Sequence, residues 1–123
     1  MAETSSGSGR LTTHVLDTAR GLPARGLELV LHRLVDGRRE LVAQARTNAD
    51  GRCDRPLLDD GAFRFGTYEI LFLCGPYFDA CGLDLPEPKF LDEVSIRFGI
   101  SENRHYHVPL LVSPFGYSTY RGS

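Results

Sequence analysis

Tryptophan is missing from this sequence, and methionine and lysine occur once each, since thirteen of the fourteen basic residues are arginine. The arginines are scattered, only Arg38 and Arg39 being adjacent, and the formal net charge is −2. That distribution offers no basic patch for a nucleic acid or an anionic membrane surface. No run approaches the roughly 18 apolar residues of a membrane-spanning helix. The start, MAETSSGSGR, lacks the apolar core of a secretory signal. Cysteine is scarce too: Cys53, Cys74 and Cys81 have no zinc-type spacing and, being three, cannot all pair. Free thiols in a reducing compartment follow, so a cytoplasmic protein is expected. Walker, Rossmann, G-x-S-x-G and H-E-x-x-H patterns are all absent, which removes the local signatures of the commonest nucleotide-binding and hydrolytic sites.

What is present is ordinary for a globular domain: 123 residues, 41% hydrophobic and 24% charged. One domain with one core is expected over residues 10–123. Residues 1–9, rich in Ser and Gly, form an extension read as disordered. Leu11 to Leu16 reads as a first strand, with Leu11, Thr13 and Val15 on one face and Thr12, His14 and Leu16 on the other. A loop follows from Asp17 to Ala24. Leu27 to Val35 and Leu41 to Thr47 are strands joined at Asp36-Gly37, a hairpin signal. Asn48-Ala49-Asp50-Gly51 is a second turn, delivering Arg52. Gly66 to Cys74 is apolar and strand-like, and Pro76 to Gly82 reads as one short helix. Strands are expected again around Val94, Ile96 and Phe98, over His105 to Val112, and over Gly116 to Arg121. About seven short strands with little helical periodicity predict an all-β sandwich.

Two features carry chemistry. Of the histidines His14, His32, His105 and His107, the last pair sits two apart and so shares a strand face. Imidazoles transfer protons near neutrality, and arginines hold planar, oxygen-rich anions. An H-x-H pair is also a metal-ligand pattern, but it needs a third ligand that no nearby cysteine supplies. The second feature is the closing tetrapeptide Tyr120-Arg121-Gly122-Ser123, which concentrates hydroxyl, guanidinium and carboxylate groups directly after an apolar strand. It is expected to be tucked into a site.

The segments LTTHVLDTARGLPA, TNADGR, FLDEVSIRFGI and HYHVPLLVSPFGYSTYRGS closely resemble the 5-hydroxyisourate hydrolases, the transthyretin-related enzymes of urate breakdown. The resemblance runs from about Leu11 to the end. Ser95 departs from it, standing where many members carry Pro. The resemblance implies a two-sheet transthyretin-like β-sandwich with one short helix, assembled as a homotetramer with sites between dimers. It implies hydrolysis of 5-hydroxyisourate without a cofactor or metal. His14, Arg52, His107 and Ser123 would be catalytic, and His14, Arg52, Tyr120, Arg121 and Gly122 would bind substrate. His105 would support the site or an interface, and Leu110, Val112, Phe115 and Tyr117 would serve subunit contact as well as core. Two other readings stay open: a non-enzymatic carrier of a small aromatic ligand on the same scaffold, and a metal-binding or interaction module built on His105 and His107.

Overall fold

In a computed structural model, residues 9–122 are described; the remainder of the N-terminal extension and Ser123 lie outside the described residues. The chain order is β1 (Arg10–Asp17), β2 (Leu22–Pro23), β3 (Glu28–Val35), β4 (Arg38–Arg46), β5 (Leu58–Asp59), β6 (Gly66–Leu73), α1 (Cys74–Ala80), β7 (Glu93–Ile100), β8 (His105–Ser113) and β9 (Gly116–Thr119). One sheet runs β2-β1-β8-β9, with β5 also on β1; the other runs β4-β3-β6-β7. Their inner faces make the core. Leu11 and Val15 of β1 and Leu110 and Val112 of β8 meet Leu29 and Leu31 of β3 and Ile70 and Phe72 of β6, all almost fully buried. Strict alternation in β1 sends Thr12, His14 and Leu16 to the outer face, where they are half-buried.

Several elements differ from the expected boundaries. The helix starts at Cys74 rather than Pro76. Pro76 therefore sits in the first turn, where its missing N–H breaks no helical bond. The helix closes on Gly82 at φ +77°, with Gly82 N–H donating to the Asp79 carbonyl at 2.9 Å and Leu83 N–H to that of Phe78 at 3.4 Å. That is the double bond of a Schellman cap. The Asp36-Gly37 hairpin is tight, both residues having positive φ, so β4 begins at Arg38 rather than Leu41. The expected loop from Asp17 to Ala24 contains the two-residue strand β2, and β9 ends at Thr119, short of Arg121. Leu110 and Val112 belong to the core, whereas Phe115 and Tyr117 are exposed, so only the second pair is free for subunit contact. The physical reason is alternation: Val108, Leu110 and Val112 share the inward face of β8, and Phe115 lies in the turn after it.

Ser95 has a local partner. Its hydroxyl donates to Glu69 Oε2 at 2.8 Å, and Arg39 donates to the other carboxylate oxygen at 2.7 Å. This network lets a carboxylate lie nearly buried on the outer face of the second sheet.

The placement that governs the site is the pairing of β1 with β8. The two strands run parallel, so residues distant in sequence stand side by side: Arg10 opposite His105, Thr12 opposite His107, and His14 opposite Pro109. One outer face of the first sheet thus carries three imidazoles, a hydroxyl and a guanidinium.

Candidate active site

Arg52 reaches this face through its turn. Asn48 Oδ1 accepts from Asp50 N–H at 2.9 Å and from Arg52 N–H at 3.2 Å. Asn48 N–H in turn donates to the Arg52 carbonyl at 2.8 Å. Gly51 sits at φ +72°, and its carbonyl accepts from Val15 N–H at 2.8 Å. A Cβ on Gly51 would lie 2.5 Å from the Val15 carbonyl oxygen, so glycine is required by both conformation and space. The docked turn forms an antiparallel bridge between Arg52 and His14.

The imidazoles contact one another directly. His14 Nδ1 and His107 Nε2 are 2.7 Å apart, with the rings stacked at 4.9 Å between centroids. Thr12 Oγ1 lies 2.7 Å from His107 Nδ1 and 2.6 Å from His105 Nε2. Burial, followed by the charges of His14, Arg52 and His105, lowers the His107 pKa to about 4. Burial and then Arg52 lower that of His14, and burial and then Arg10 lower that of His105. All three rings are therefore neutral at pH 7, each with one N–H and one bare nitrogen. Beside them opens a pocket of about 420 Å³ lined by Arg10, Thr12, Thr13, Arg52, Cys53, Arg55, His105 and His107. It combines proton-transfer groups with three guanidiniums suited to an anionic or oxygen-rich ring.

Among the expected site residues, Arg52, His105 and His107 line this pocket, and His14 joins them through its contact with His107 and its bridge to Arg52. Gly122 joins them: its N–H donates to the His107 carbonyl at 2.7 Å, and a Cβ there would meet the His107 ring at 2.8 Å. Tyr120 and Arg121 do not join them within one chain. They are exposed and line a separate groove of about 290 Å³ with Phe98, Tyr106 and Val108. Ser123 lies outside the described residues. Sequence reasoning missed Thr12, Arg10 and Arg55. Thr12 shares its strand face with His14, a visible signal, but its place beside His107 depends on a strand register that spans 95 residues. No group of three or more His, Cys, Asp or Glu forms a metal-ligand set among the described residues.

Residues 11–122 match the family model described as the HIUase/Transthyretin family. The chain is 60% identical to the 5-hydroxyisourate hydrolase of Mesorhizobium japonicum, covering all of both chains. It is 56% identical to that of Pseudomonas aeruginosa over 94% of this chain and 92% of the other. Among solved structures, 5-hydroxyisourate hydrolase from Klebsiella pneumoniae matches with a TM-score of 0.79 at 35% identity, covering 94% of this chain and 99% of that one. (S)-allantoin synthase matches with a TM-score of 0.91 at 47% identity, but this chain, 98% covered, spans only 46% of it. Sea bream transthyretin in complex with thyroxine matches with a TM-score of 0.82 at 28% identity, covering 92% of this chain and 94% of that one. With a two-sheet sandwich, a docked D-G-R turn and near-complete coverage by the family model, the chain belongs to the HIUase/Transthyretin family.

Proposed function

We propose that the protein is a cofactor-independent hydrolase that converts 5-hydroxyisourate to 2-oxo-4-hydroxy-4-carboxy-5-ureidoimidazoline in urate breakdown. The observation that carries this reading is the 2.7 Å contact between two neutral imidazoles, His14 and His107, beside Arg52. It stands in a chain 60% identical over its full length to a protein named for that hydrolysis. The chemistry needs three things: water must lose a proton, an oxyanion must be stabilised, and the leaving ring nitrogen must gain a proton. His14 and His107 serve the two proton transfers, because a neutral imidazole offers a bare nitrogen to accept a proton and an N–H to give one. Arg52 supplies a fixed cation for the oxyanion, a role typically worth about 3–4 kcal/mol in the transition state. Hydrolysis of an activated ring requires positioning and acid–base help, so the reading invokes no cofactor or metal.

The terminal motif enters through assembly. In our reading Tyr120 and Arg121, exposed in one chain, help to bind substrate across a subunit contact in a homotetramer with sites between dimers. Gly122 backs His107, and Ser123 orients a catalytic imidazole. Exposed Phe115 and Tyr117 support such a contact. The three free cysteines fit a reducing, cytoplasmic setting. The carrier reading draws support from the likeness to a thyroxine-bound transthyretin, but a carrier has no need of coupled imidazoles beside a guanidinium. The test is the decay of freshly made 5-hydroxyisourate. Purified protein should speed it well beyond the spontaneous rate; an unchanged rate would remove the enzymatic reading.

A further inference from the structure

Thr12 and His105 have no assigned part in this chemistry, yet they extend the imidazole pair. His105 Nε2, Thr12 Oγ1, His107 and His14 Nδ1 form an unbroken row, with contacts of 2.6, 2.7 and 2.7 Å. A hydroxyl carries one proton, so Thr12 donates to one neighbouring nitrogen and accepts from the other. Each neutral imidazole likewise carries one N–H. The row therefore has two uncharged arrangements. In the first, Thr12 donates to His107 Nδ1, His107 Nε2–H donates to His14 Nδ1, and the His14 proton sits on Nε2. In the second every bond is reversed: Thr12 donates to His105 Nε2, His14 donates from Nδ1, and His14 Nε2 is bare.

We infer that Thr12 and His105 extend the His14–His107 pair into a four-group proton relay whose polarity decides whether His14 Nε2 acts as base or acid. The inference rests on the reading of His14 and His107 as proton-transfer groups. Starting from the second arrangement, His14 Nε2 takes a proton from the attacking water. His14 passes its Nδ1 proton to His107 Nε2, His107 passes its Nδ1 proton to Thr12 Oγ1, and Thr12 passes its hydroxyl proton to His105 Nε2. No bond between heavy atoms changes within the row, and the positive charge rests on His105. When the ring C–N bond breaks, His14 Nε2 gives its proton to the leaving nitrogen, the other transfers run in reverse, and the row is reset. His14 Nε2 thus meets the reacting atoms in both steps, and His107 takes part in each by passing the proton along the row.

The surroundings favour storage at the end of the row rather than in its middle. His107 is half-buried between the rings of His14 and His105, and burial together with His14, Arg52 and His105 disfavours a charge on it. His105 lies at the pocket wall, where Arg10 of β1 is the cation bearing on it, and Arg52 and Arg55 line the same pocket. Thr12 and His105 act through His107 and are positioning residues.

The test compares Thr12→Val, which keeps the shape and removes the hydroxyl, with Thr12→Ser, which keeps it, and with His105→Gln. Turnover of 5-hydroxyisourate is followed from pH 5 to 8 on the full chain, alongside ¹⁵N spectra of the histidine rings in the free protein. Thr12→Val and His105→Gln should each lower kcat by about 10- to 100-fold with little change in KM, and Thr12→Ser should restore it to about threefold of wild type. The ring-nitrogen shifts of His105 and His107 should move in Thr12→Val and return in Thr12→Ser. A folded Thr12→Val with wild-type kcat across the pH range overturns the relay. If wild type itself gives no turnover, the proposed function fails, and the spectra alone decide: shifts unchanged in Thr12→Val remove the relay as well.

Discussion

At the scale of single residues, the chemistry turns on how Arg52 acts on its neighbours. Its charge lowers the pKa of His14 and His107, in each case after the larger effect of burial. A lowered histidine pKa means the neutral form persists to lower pH, so the acid limb of kcat/KM should lie below the ordinary histidine value of about 6.5. Arg52→Gln removes the cation and lets both values rise, so the limb should move toward higher pH. In our reading Arg52 also meets the oxyanion, so its loss should cut kcat by about 100- to 1,000-fold. A pH–rate profile of the variant checks both, and an unmoved limb would separate Arg52 from the imidazoles. Much of this residue set was legible beforehand. His14, Arg52 and His107 stand out through the likeness of their motifs, T-H-V-L-D, D-G-R and H-Y-H-V-P, to the family, whereas residue chemistry alone offers only histidines and arginines as classes. Arg10 and Arg55 were not, since nothing local distinguishes them from the other scattered arginines.

At the scale of elements, the Asn48–Gly51 turn does for Arg52 what strand register does for the histidines. Gly51→Ala forces a side chain into a φ of +72° and against the Val15 carbonyl. It should cost about 1–3 kcal/mol of stability and displace Arg52, lowering kcat more than KM. Thermal melting together with steady-state kinetics checks this. Turn chemistry made the position readable, because Asn, Asp and Gly mark turns by their own hydrogen bonds and backbone freedom. Period-two alternation made the faces of β1 readable as well, placing Thr12 with His14. The pairing of β1 with β8 was not readable. It is a non-local, parallel contact, and no residue in either strand names its partner. Thr12 was missed for that reason alone. The helix start was displaced by two residues because Pro is tolerated anywhere in a first turn, so it marks a helix more reliably than it marks the boundary.

At the scale of the whole molecule, two facing sheets leave one outer surface free to carry the site, and Gly122 lies at its border. Gly122 touches His107 while Tyr120 and Arg121 face away, an arrangement that our reading completes with a neighbouring subunit. Deleting Tyr120 to Ser123 should therefore lower turnover by about 100-fold or more while the protein stays folded and oligomeric. Sedimentation beside kinetics checks this, and normal kinetics would remove the terminus from the site. Which of the late apolar residues would be exposed could not be read from composition, because surface and core positions draw on the same residue types. Leu110 and Val112 went to the interior on the inward face of β8, whereas Phe115 in the turn after it and Tyr117 on β9 went to the surface. The most direct measurement is the decay of freshly made 5-hydroxyisourate with wild type beside His107→Ala. Wild type should accelerate the decay strongly and His107→Ala should bring it back close to the spontaneous rate. Full turnover by a folded His107→Ala would contradict the account.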